Sequence, residues 1–284
     1  MSLTPELAAV TFGLLSAVTW GSGDFSGGLA TRKTHVVGVL VISHFFGLVL
    51  LTLLALVTAE PFPAVGDLAW GALAGLAGLL GLIAFYRALA SGPMGIAAAV
   101  SGVLTAGLPV LFSFSINGLP DGWKLGGFAL AFLSIWLVSA ADGRARGVNQ
   151  ILMAFLAGMG FGIFFILIDR VSDGAVFWPL AAARCASVTV MLAVLLANRQ
   201  TGGLLPDSRR LVGLVLMSST LDVAGNIFFL LATQAGRLDI AAVGSSLYPA
   251  STIRRARVFL KEQLKPKQVA GVLVALAAIV LITV

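Results

Sequence analysis

Four polar side chains stand inside long apolar stretches of this sequence. His44 lies within VISHFFGLVLL, Arg184 within LAAARCASVTV, and Asp222 and Asn226 within SSTLDVAGNIFF. An ionised side chain at the centre of a membrane-spanning helix costs about 2.5–3.5 kcal/mol on insertion scales, so each needs a partner or a functional cavity. Asp222 and Asn226 are four residues apart and therefore share one face of a helix.

These four side chains are candidate substrate ligands in a cavity. Arg184 could bind a carboxylate, and His44 offers a hydrogen bond or a titratable proton. Asp222, with Asn226 beside it, could bind an ammonium group, carry a coupling proton or pair with Arg184. The structural alternative is that all four only join helices through hydrogen bonds, without transport chemistry.

Two prolines fall late in apolar stretches of the two halves of the chain. Pro109 in TAGLPVLF and Pro249 in SSLYPAST each remove a helical hydrogen bond, which predicts a kink or an unwound turn. Interrupted helices in corresponding halves point to a midplane site and to gating positions. Beside Pro249, the hydroxyls of Ser246 and Tyr248 could contact a substrate, or else bond the carbonyls that the proline frees.

Aromatic and acidic residues near the helix ends have two interpretations each. Trp20, Tyr86 and Trp178 could stack on an aromatic ligand, although such residues usually form belts at the membrane interface. Asp24 and Asp169 stand near predicted span ends, which favours interfacial capping or pairing with a neighbouring arginine over a central role.

The elements that must position these side chains are apolar helices. Of the 284 residues 59% are apolar and 11% charged, against about 25% charged residues in a soluble domain. A membrane span needs about 20 apolar residues. The sequence therefore predicts an all-α polytopic membrane protein with ten transmembrane helices, at 6–30, 35–58, 67–91, 94–116, 121–140, 149–170, 174–198, 210–235, 239–260 and 266–284.

Several classes of function are excluded by what the sequence lacks. One Cys and two His do not build a disulfide framework or an ordinary metal site. The chain has no phosphate loop, HExxH motif or nucleophile elbow. We therefore expect a protein that is not an enzyme, with no catalytic residue, metal or other cofactor. The net charge of +6 comes mostly from connections between helices, so the expected partner is the lipid bilayer and not nucleic acid.

The two halves of the chain resemble each other weakly. The loop 141–147 separates residues 1–140 from residues 148–284, and each half contains five predicted helices. Because five is odd, the second half would enter the membrane from the opposite side, as in many secondary transporters. The matching positions, at a shift of 145 or 140, are Gly13 and Gly158, Trp20 and Phe165, Asp24 and Asp169, His44 and Arg184, Pro109 and Pro249, and Gly126 and Gly271.

The distribution of Lys and Arg predicts the orientation. The connections after predicted helices 1, 3, 5, 7 and 9 contain Arg32, Lys33, Arg87, Arg144, Arg146, Arg199, Arg209, Arg210, Lys261, Lys265 and Lys267. The opposite side contains only Lys124, Arg170 and Arg237. The positive-inside rule places the first set in the cytoplasm and both termini outside.

The end of the chain carries a family resemblance. The stretch SSLYPAST followed by FLKEQLKPKQVAGVLVALAAIVLI resembles the repeat signature of the drug/metabolite transporter (DMT) superfamily, EamA type. Pro249, Glu262, Gln268 and Gly271 match this pattern, whereas the first half has no counterpart of Glu262. Within the superfamily the chain is similar to bacterial aromatic amino acid exporters. The resemblance implies export of small metabolites across a bacterial inner membrane by alternating access between two inverted repeats. Because both halves are present in one chain, the transport unit need not dimerise and we expect that it can act as a monomer.

One segment departs from that pattern. The sequence STIRRARVFL places Arg254, Arg255 and Arg257 inside the predicted ninth span. Either they line an anion-attracting vestibule or the headgroup interface, or the segment is locally altered relative to the family and packs differently. The leading hypothesis is export of amino acids, aromatic or otherwise neutral, through a central midplane cavity. The alternatives are an exchanger of anionic or sugar-phosphate metabolites that uses the arginine row, and a membrane enzyme or scaffold that transports nothing.

Overall fold

The computed structural model describes residues 5–117, 122–140, 145–197, 206–235 and 238–283. All regular secondary structure in these ranges is helical. The helices are α1 (Pro5–Thr31), α2 (Val36–Val57), α3 (Val65–Ser91), α4 (Met94–Asn117), α5 (Gly122–Ala140), α6 (Ala145–Ile168), α7 (Phe177–Ala197), α8 (Arg209–Ala235), α9 (Leu238–Ser245), α10 (Tyr248–Phe259) and α11 (Pro266–Thr283).

Nine of the ten predicted segments each form one helix. The segment 239–260 instead forms α9 and α10, which are separated by a turn at residues 246–247. Pro249 is the second residue of α10, where the missing N–H breaks no helical hydrogen bond. The interruption expected near Pro249 is therefore present.

The unwound turn suggested as one outcome at Pro109 is absent. The helix α4 continues through this residue to Asn117. It packs against α6 and α11, and such neighbours hold a helix together across one missing hydrogen bond. The two prolines of the repeat therefore have different structural consequences.

Six helical stretches are long and apolar enough to cross a membrane by length and composition alone. They are Val36–Val57, Val65–Ser91, Met94–Phe112, Val148–Ile168, Phe177–Ala197 and Arg209–Ala235, and shorter apolar stretches occupy Leu125–Ser134 and Pro266–Leu281. Large apolar side chains on the outer surface, among them Leu53, Phe132 and Trp136, are exposed. An outer surface of this kind suits contact with lipid.

Hydrogen bonds between connections show that several helix ends meet on one face. Arg32, just after α1, donates to the carbonyls of Leu89 at 3.2 Å and Gly92 at 2.7 Å, where α3 ends. Glu262, between α10 and α11, accepts from the amide of Met94 at 3.0 Å, where α4 begins. We call this side the basic face, because Arg32, Lys33, Arg210 and Lys261 lie there.

The opposite face is held together by its own contacts between connections. Glu60, between α2 and α3, accepts from the amide of Phe177 at 2.8 Å, where α7 begins. Asp67, at the start of α3, accepts from the amide of Ser172 at 2.9 Å. The end of α2 and the starts of α3 and α7 therefore lie on the face opposite the ends of α1 and α3.

The helices pack in two groups that each take members from both halves of the chain. In the α1 group, α1 packs against α8, α9 and α10; in the α3 group, α6 packs against α3 and α4. A methyl carbon on Gly13 of α1 would lie 3.2 Å from Gly244 in α9, and one on Gly158 of α6 would lie 2.6 Å from the Leu104 side chain in α4. These paired contacts follow the same 145 and 140 shifts as the sequence repeat.

Candidate functional site

A cavity lies between the α1 group and the α3 group. Its cavity volume is about 60 Å³, and the atom-free space amounts to about 640 Å³ when the opening to solvent is included. Several lining residues lie near the middle of their helices, so the cavity is at mid-depth. It is lined by Trp20, Asp24, His44, Gly75, Gly78, Leu79, Leu82, Thr105, Phe161, Phe164, Phe165, Leu180, Ala183, Arg184, Asp222, Asn226 and Tyr248.

Arg184 of α7 connects three helices at the edge of this cavity. Its Nη2 atom donates to Oδ2 of Asp222 on α8 in an ion pair. Its Nη1 atom lies 3.1 Å from Nε2 of His44 on α2. Because arginine only donates hydrogen bonds, the facing imidazole nitrogen accepts with its lone pair. The guanidinium thus joins Asp222 and His44, which lie far apart in the sequence.

Asp222 and Asn226 both line the cavity, as their spacing on one helix face predicted. Of the roles left open for Asp222, the structure contains the pairing with Arg184. The Asn226 amide nitrogen donates to the backbone carbonyl of Asp222 at 2.6 Å, so its side-chain oxygen stays available. The polar corner of the cavity is formed by Arg184, His44, Asp222 and Asn226.

Asp24 also lines the cavity, and this corrects the preference for an interfacial role. The side chain is 8% exposed, and α1 continues for about two further turns to Thr31. It lies close enough to Asp222 to interact electrostatically. Asp169, its partner in the repeat, is half-buried just beyond α6; burial raises its pKa, and the adjacent Arg170 opposes that shift.

An aromatic wall faces the charged corner. Trp20 stacks on Phe165 with 5.6 Å between the ring centroids, so the cavity interpretation of Trp20 agrees with the geometry. Phe161 and Phe164 line the same wall, and sequence analysis missed these residues together with Phe165. Their spacing of three and four residues along α6 is the signal that could have revealed a common face.

The hydroxyl residues singled out by sequence differ in their positions. Tyr248 lines the cavity, and its hydroxyl lies 2.7 Å from Oγ of Ser101. Tyr86 lies outside the lining, with its hydroxyl 3.0 Å from Oγ of Ser218. Ser246 is also outside the lining; its buried Oγ atom has no hydrogen-bond partner within the described ranges.

Trp178 lies outside the cavity, at the start of α7 on the opposite face. Its indole N–H donates to the backbone carbonyl of Glu60 at 3.1 Å, and its ring packs edge-on against Phe62 at 5.2 Å. The proposed substrate contact is therefore not made here. The interfacial interpretation suits this position.

The arginine row of α10 does not line the cavity either. Arg254 and Arg257 are exposed, and Arg255 donates to the backbone carbonyl of Ser251 at 3.3 Å. Their positions favour the headgroup-interface interpretation over the vestibule. Within the part of the chain that the structure describes, no group of three or more His, Cys, Asp or Glu residues could hold a metal ion.

In secondary transporters the substrate site lies near the midplane between packed helices, which is also where this polar cavity lies. The second half of the chain, residues 149–284, matches the EamA-like transporter family. This match agrees with the resemblance to the DMT superfamily seen in the same half of the sequence. That half is therefore similar to small-molecule transporters.

Comparison of structures extends the likeness of fold to the whole chain. A solved crystal structure superposes with a TM-score of 0.69 over 97% of this chain and 98% of the other, at 13% sequence identity. At this identity the likeness concerns the fold alone. No curated protein sequence matches the chain.

Proposed function

We propose that the whole chain is an EamA-type transporter of the DMT superfamily and moves small metabolites through the central cavity by alternating access. The observation that carries the proposal is a mid-depth cavity, lined by the ion pair of Arg184 and Asp222, between two helix groups. The two parts, 1–140 and 148–284, are proposed to be inverted five-helix repeats. In such a repeat α1 corresponds to α6, and α3 corresponds to α8. The packing of α1 against α8 and of α6 against α3 supports this arrangement.

The proposed substrates are amino acids, aromatic or otherwise neutral. An arginine side chain has five N–H donors, and the described bonds of Arg184 use the Nη1 and Nη2 groups, so donors remain for a substrate carboxylate. Trp20 and the phenylalanines of α6 offer an aromatic wall for the substrate side chain. His44, Asn226 and Tyr248 complete the proposed polar contacts.

The proposed direction is export across a bacterial inner membrane. The excess of Lys and Arg on the basic face supports a cytoplasmic location for that face. The chain has both halves of the cavity, so one copy is sufficient for transport. No cofactor is part of the proposed cycle.

Counterflow in proteoliposomes tests this proposal. Vesicles that contain purified protein and unlabelled phenylalanine should accumulate radiolabelled phenylalanine faster than empty vesicles. If the vesicles exchange phosphate esters but do not transport amino acids, the result would support an anion exchanger instead. Binding of phenylalanine without any flux above that of empty vesicles would support a membrane protein that does not transport.

Alternating access is proposed to occur by rocking of the α1 group against the α3 group. On the basic face, Arg32 and Glu262 connect the two groups across the turn between α3 and α4. On the opposite face, Gln234 at the end of α8 donates to the carbonyl of Ala175 at 3.0 Å. Both sets of hydrogen bonds are formed in the structure. Each set would break when the face on which it lies opens.

We expect Glu262→Gln to open the basic face and Gln234→Ala to open the opposite face. The first substitution removes the carboxylate that accepts from the amides of Met94 and Gly95, and charge-assisted hydrogen bonds are about twice as strong as neutral ones. The measurement is labelling of a cysteine at Thr105 by an impermeant maleimide, added from each side of oriented vesicles.

The background for this experiment is Cys185→Ser, because Cys185 is the single cysteine of the chain and is exposed. Lys267→Gln, which changes an exposed charge near Glu262, is the control and should leave both labelling rates unchanged. Equal changes from both sides in the Glu262 variant would contradict a one-sided gate.

A further inference from the structure

The ionised groups of the cavity do not balance. Arg184 and Asp222 neutralise each other in an ion pair, and His44 accepts from Arg184 as a neutral ring. Asp24 is then left with no hydrogen bond or ion pair among the residues that the structure describes. It is nonetheless buried and lines the cavity.

The groups around Asp24 do not compensate its charge. On α8 the facing ionisable group is Asp222, on α3 it is Tyr86, and on α10 it is Tyr248. The two hydroxyls are engaged with Ser218 and Ser101 respectively. The described side chains of α9 contribute no ionisable group, and across the cavity α2 and α7 contribute the neutral His44 and the already paired Arg184.

An unpartnered carboxylate in a low-dielectric site is stabilised in one of two ways, by a cation or by a proton. Asp24 has space in front of it for a cation, because it faces the cavity. Trp20, one helical turn earlier, also lines that space, and aromatic rings attract cations through their faces. The surroundings therefore suit an amine cation as well as a proton.

We propose that Asp24 binds the cationic amine group of the substrate and that a proton takes the place of this group when the substrate leaves. The inference rests on the proposed transport function and adds to it a binding residue, the chemistry of the recognised group and the exchanged ion. The carboxylate of an amino acid would then face Arg184, with its ammonium group at Asp24.

The charge and proton balance of the exchange is simple. As the ammonium group arrives, the O–H bond of the Asp24 carboxyl group breaks and the proton passes to water in the cavity. As the ammonium group leaves, the carboxylate takes a proton from water on the side where the cavity is open. For a monovalent amine, one positive charge crosses in each direction, so the exchange is electroneutral. For a zwitterionic amino acid, which carries no net charge, the proton moves one positive charge across the membrane in each cycle.

Equilibrium binding to the purified full-length protein tests the assignment. The probes are radiolabelled phenethylamine, phenylalanine and phenylpropionate, with a pH indicator in weakly buffered detergent solution to count released protons. We expect wild-type protein at mildly acidic pH to bind phenethylamine and release protons. Asp24→Asn should weaken phenethylamine binding by about tenfold or more and abolish proton release.

The matched control is Asp169→Asn, which changes the corresponding aspartate of the second half outside the cavity and should alter neither result. If Asp24→Asn does not fold, Asp24→Glu keeps the carboxyl group and should retain proton release. Phenethylamine binding without proton release in the wild type would overturn the proposal, and so would unchanged affinity in Asp24→Asn.

The transport function itself is tested separately by counterflow of phenylalanine. Counterflow by the wild type together with unchanged amine binding in Asp24→Asn would remove only the role of Asp24. Absence of counterflow and of binding for every probe would overturn both proposals.

Discussion

Replacing Arg184 with alanine is expected to reduce phenylalanine counterflow by at least about a hundredfold. The substitution leaves Asp222 and His44 without their shared donor and removes the proposed carboxylate ligand. Truncating one partner of a buried, hydrogen-bonded charge pair at a binding interface costs about 2–5 kcal/mol of binding free energy, and about 2.7 kcal/mol corresponds to a factor of about 100. The measurement is initial counterflow rate per folded protein, with folding checked by size-exclusion chromatography and thermal unfolding.

A double variant separates binding from folding at this pair. Arg184→Gln combined with Asp222→Asn leaves no unpaired charge, so we expect thermal stability to recover relative to either single variant. Counterflow should remain lost, because the double variant lacks the guanidinium just as Arg184→Ala does. Recovery of counterflow together with stability would show that the pair only joins α7 to α8.

Arg87→Ala is the matched control for the Arg184 variants. Arg87 is an exposed arginine near the end of α3, so its removal changes the net charge by the same amount without touching the cavity. We expect counterflow close to the wild-type rate. Counterflow at the wild-type rate in Arg184→Ala would remove Arg184 from the proposed binding site.

Replacing Gly75 with alanine is expected to destabilise the protein and abolish transport through a single added methyl group. That carbon would lie 2.3 Å from the carbonyl oxygen of Ala183 and 2.5 Å from its Cα atom. Both contacts are with backbone atoms, so α3 and α7 must separate. Overpacking typically costs about 1–3 kcal/mol, and the cost is higher where rigid backbone has to move.

The expected loss of transport follows from the place of Gly75 in the cavity wall. Ala183 directly precedes Arg184, so a shift of α7 displaces the guanidinium from Asp222 and His44. Thermal unfolding and phenylalanine counterflow measure the two effects. Wild-type behaviour in both measurements would contradict the close packing of α3 on α7.

Gly213→Ala is the control for this glycine. A methyl carbon at Gly213, also inside a helix, would meet no atom within 4 Å, and alanine is the better helix former by about 0.8–1.0 kcal/mol. We expect unchanged or slightly higher thermal stability and normal counterflow. A fall in stability equal to that of Gly75→Ala would show that the effect at Gly75 does not come from its close packing on α7.

Most of the helices could be predicted from the sequence, because in lipid the backbone hydrogen bonds must be made within each segment. Apolar length alone located nine helices. The different effects of Pro109 and Pro249 were not predictable. They depend on which neighbouring helices hold each segment together.

The polar residues of the candidate site could be predicted from the sequence, because a polar side chain inside a membrane span costs free energy. His44, Arg184, Asp222 and Asn226 stood out because polar groups are rarely placed in a span without a partner, and all four line one cavity. Trp178 was equally conspicuous, yet it packs against Glu60 and Phe62 at the opposite face. An aromatic residue near a span end has the same sequence pattern at an interface as at a cavity rim.

The sequence by itself determined the helical membrane class, the segment boundaries to within a few residues and the polar residues that need an explanation. These properties follow from local composition and spacing. Only the tertiary structure decided that Arg184 is already paired with Asp222 and that Phe161, Phe164 and Phe165 form the aromatic wall. It also decided that Asp24 faces the cavity with no hydrogen-bond or ion-pair partner among the described residues. Those facts depend on how helices distant in the chain are rotated and packed against one another, which one-dimensional spacing does not specify.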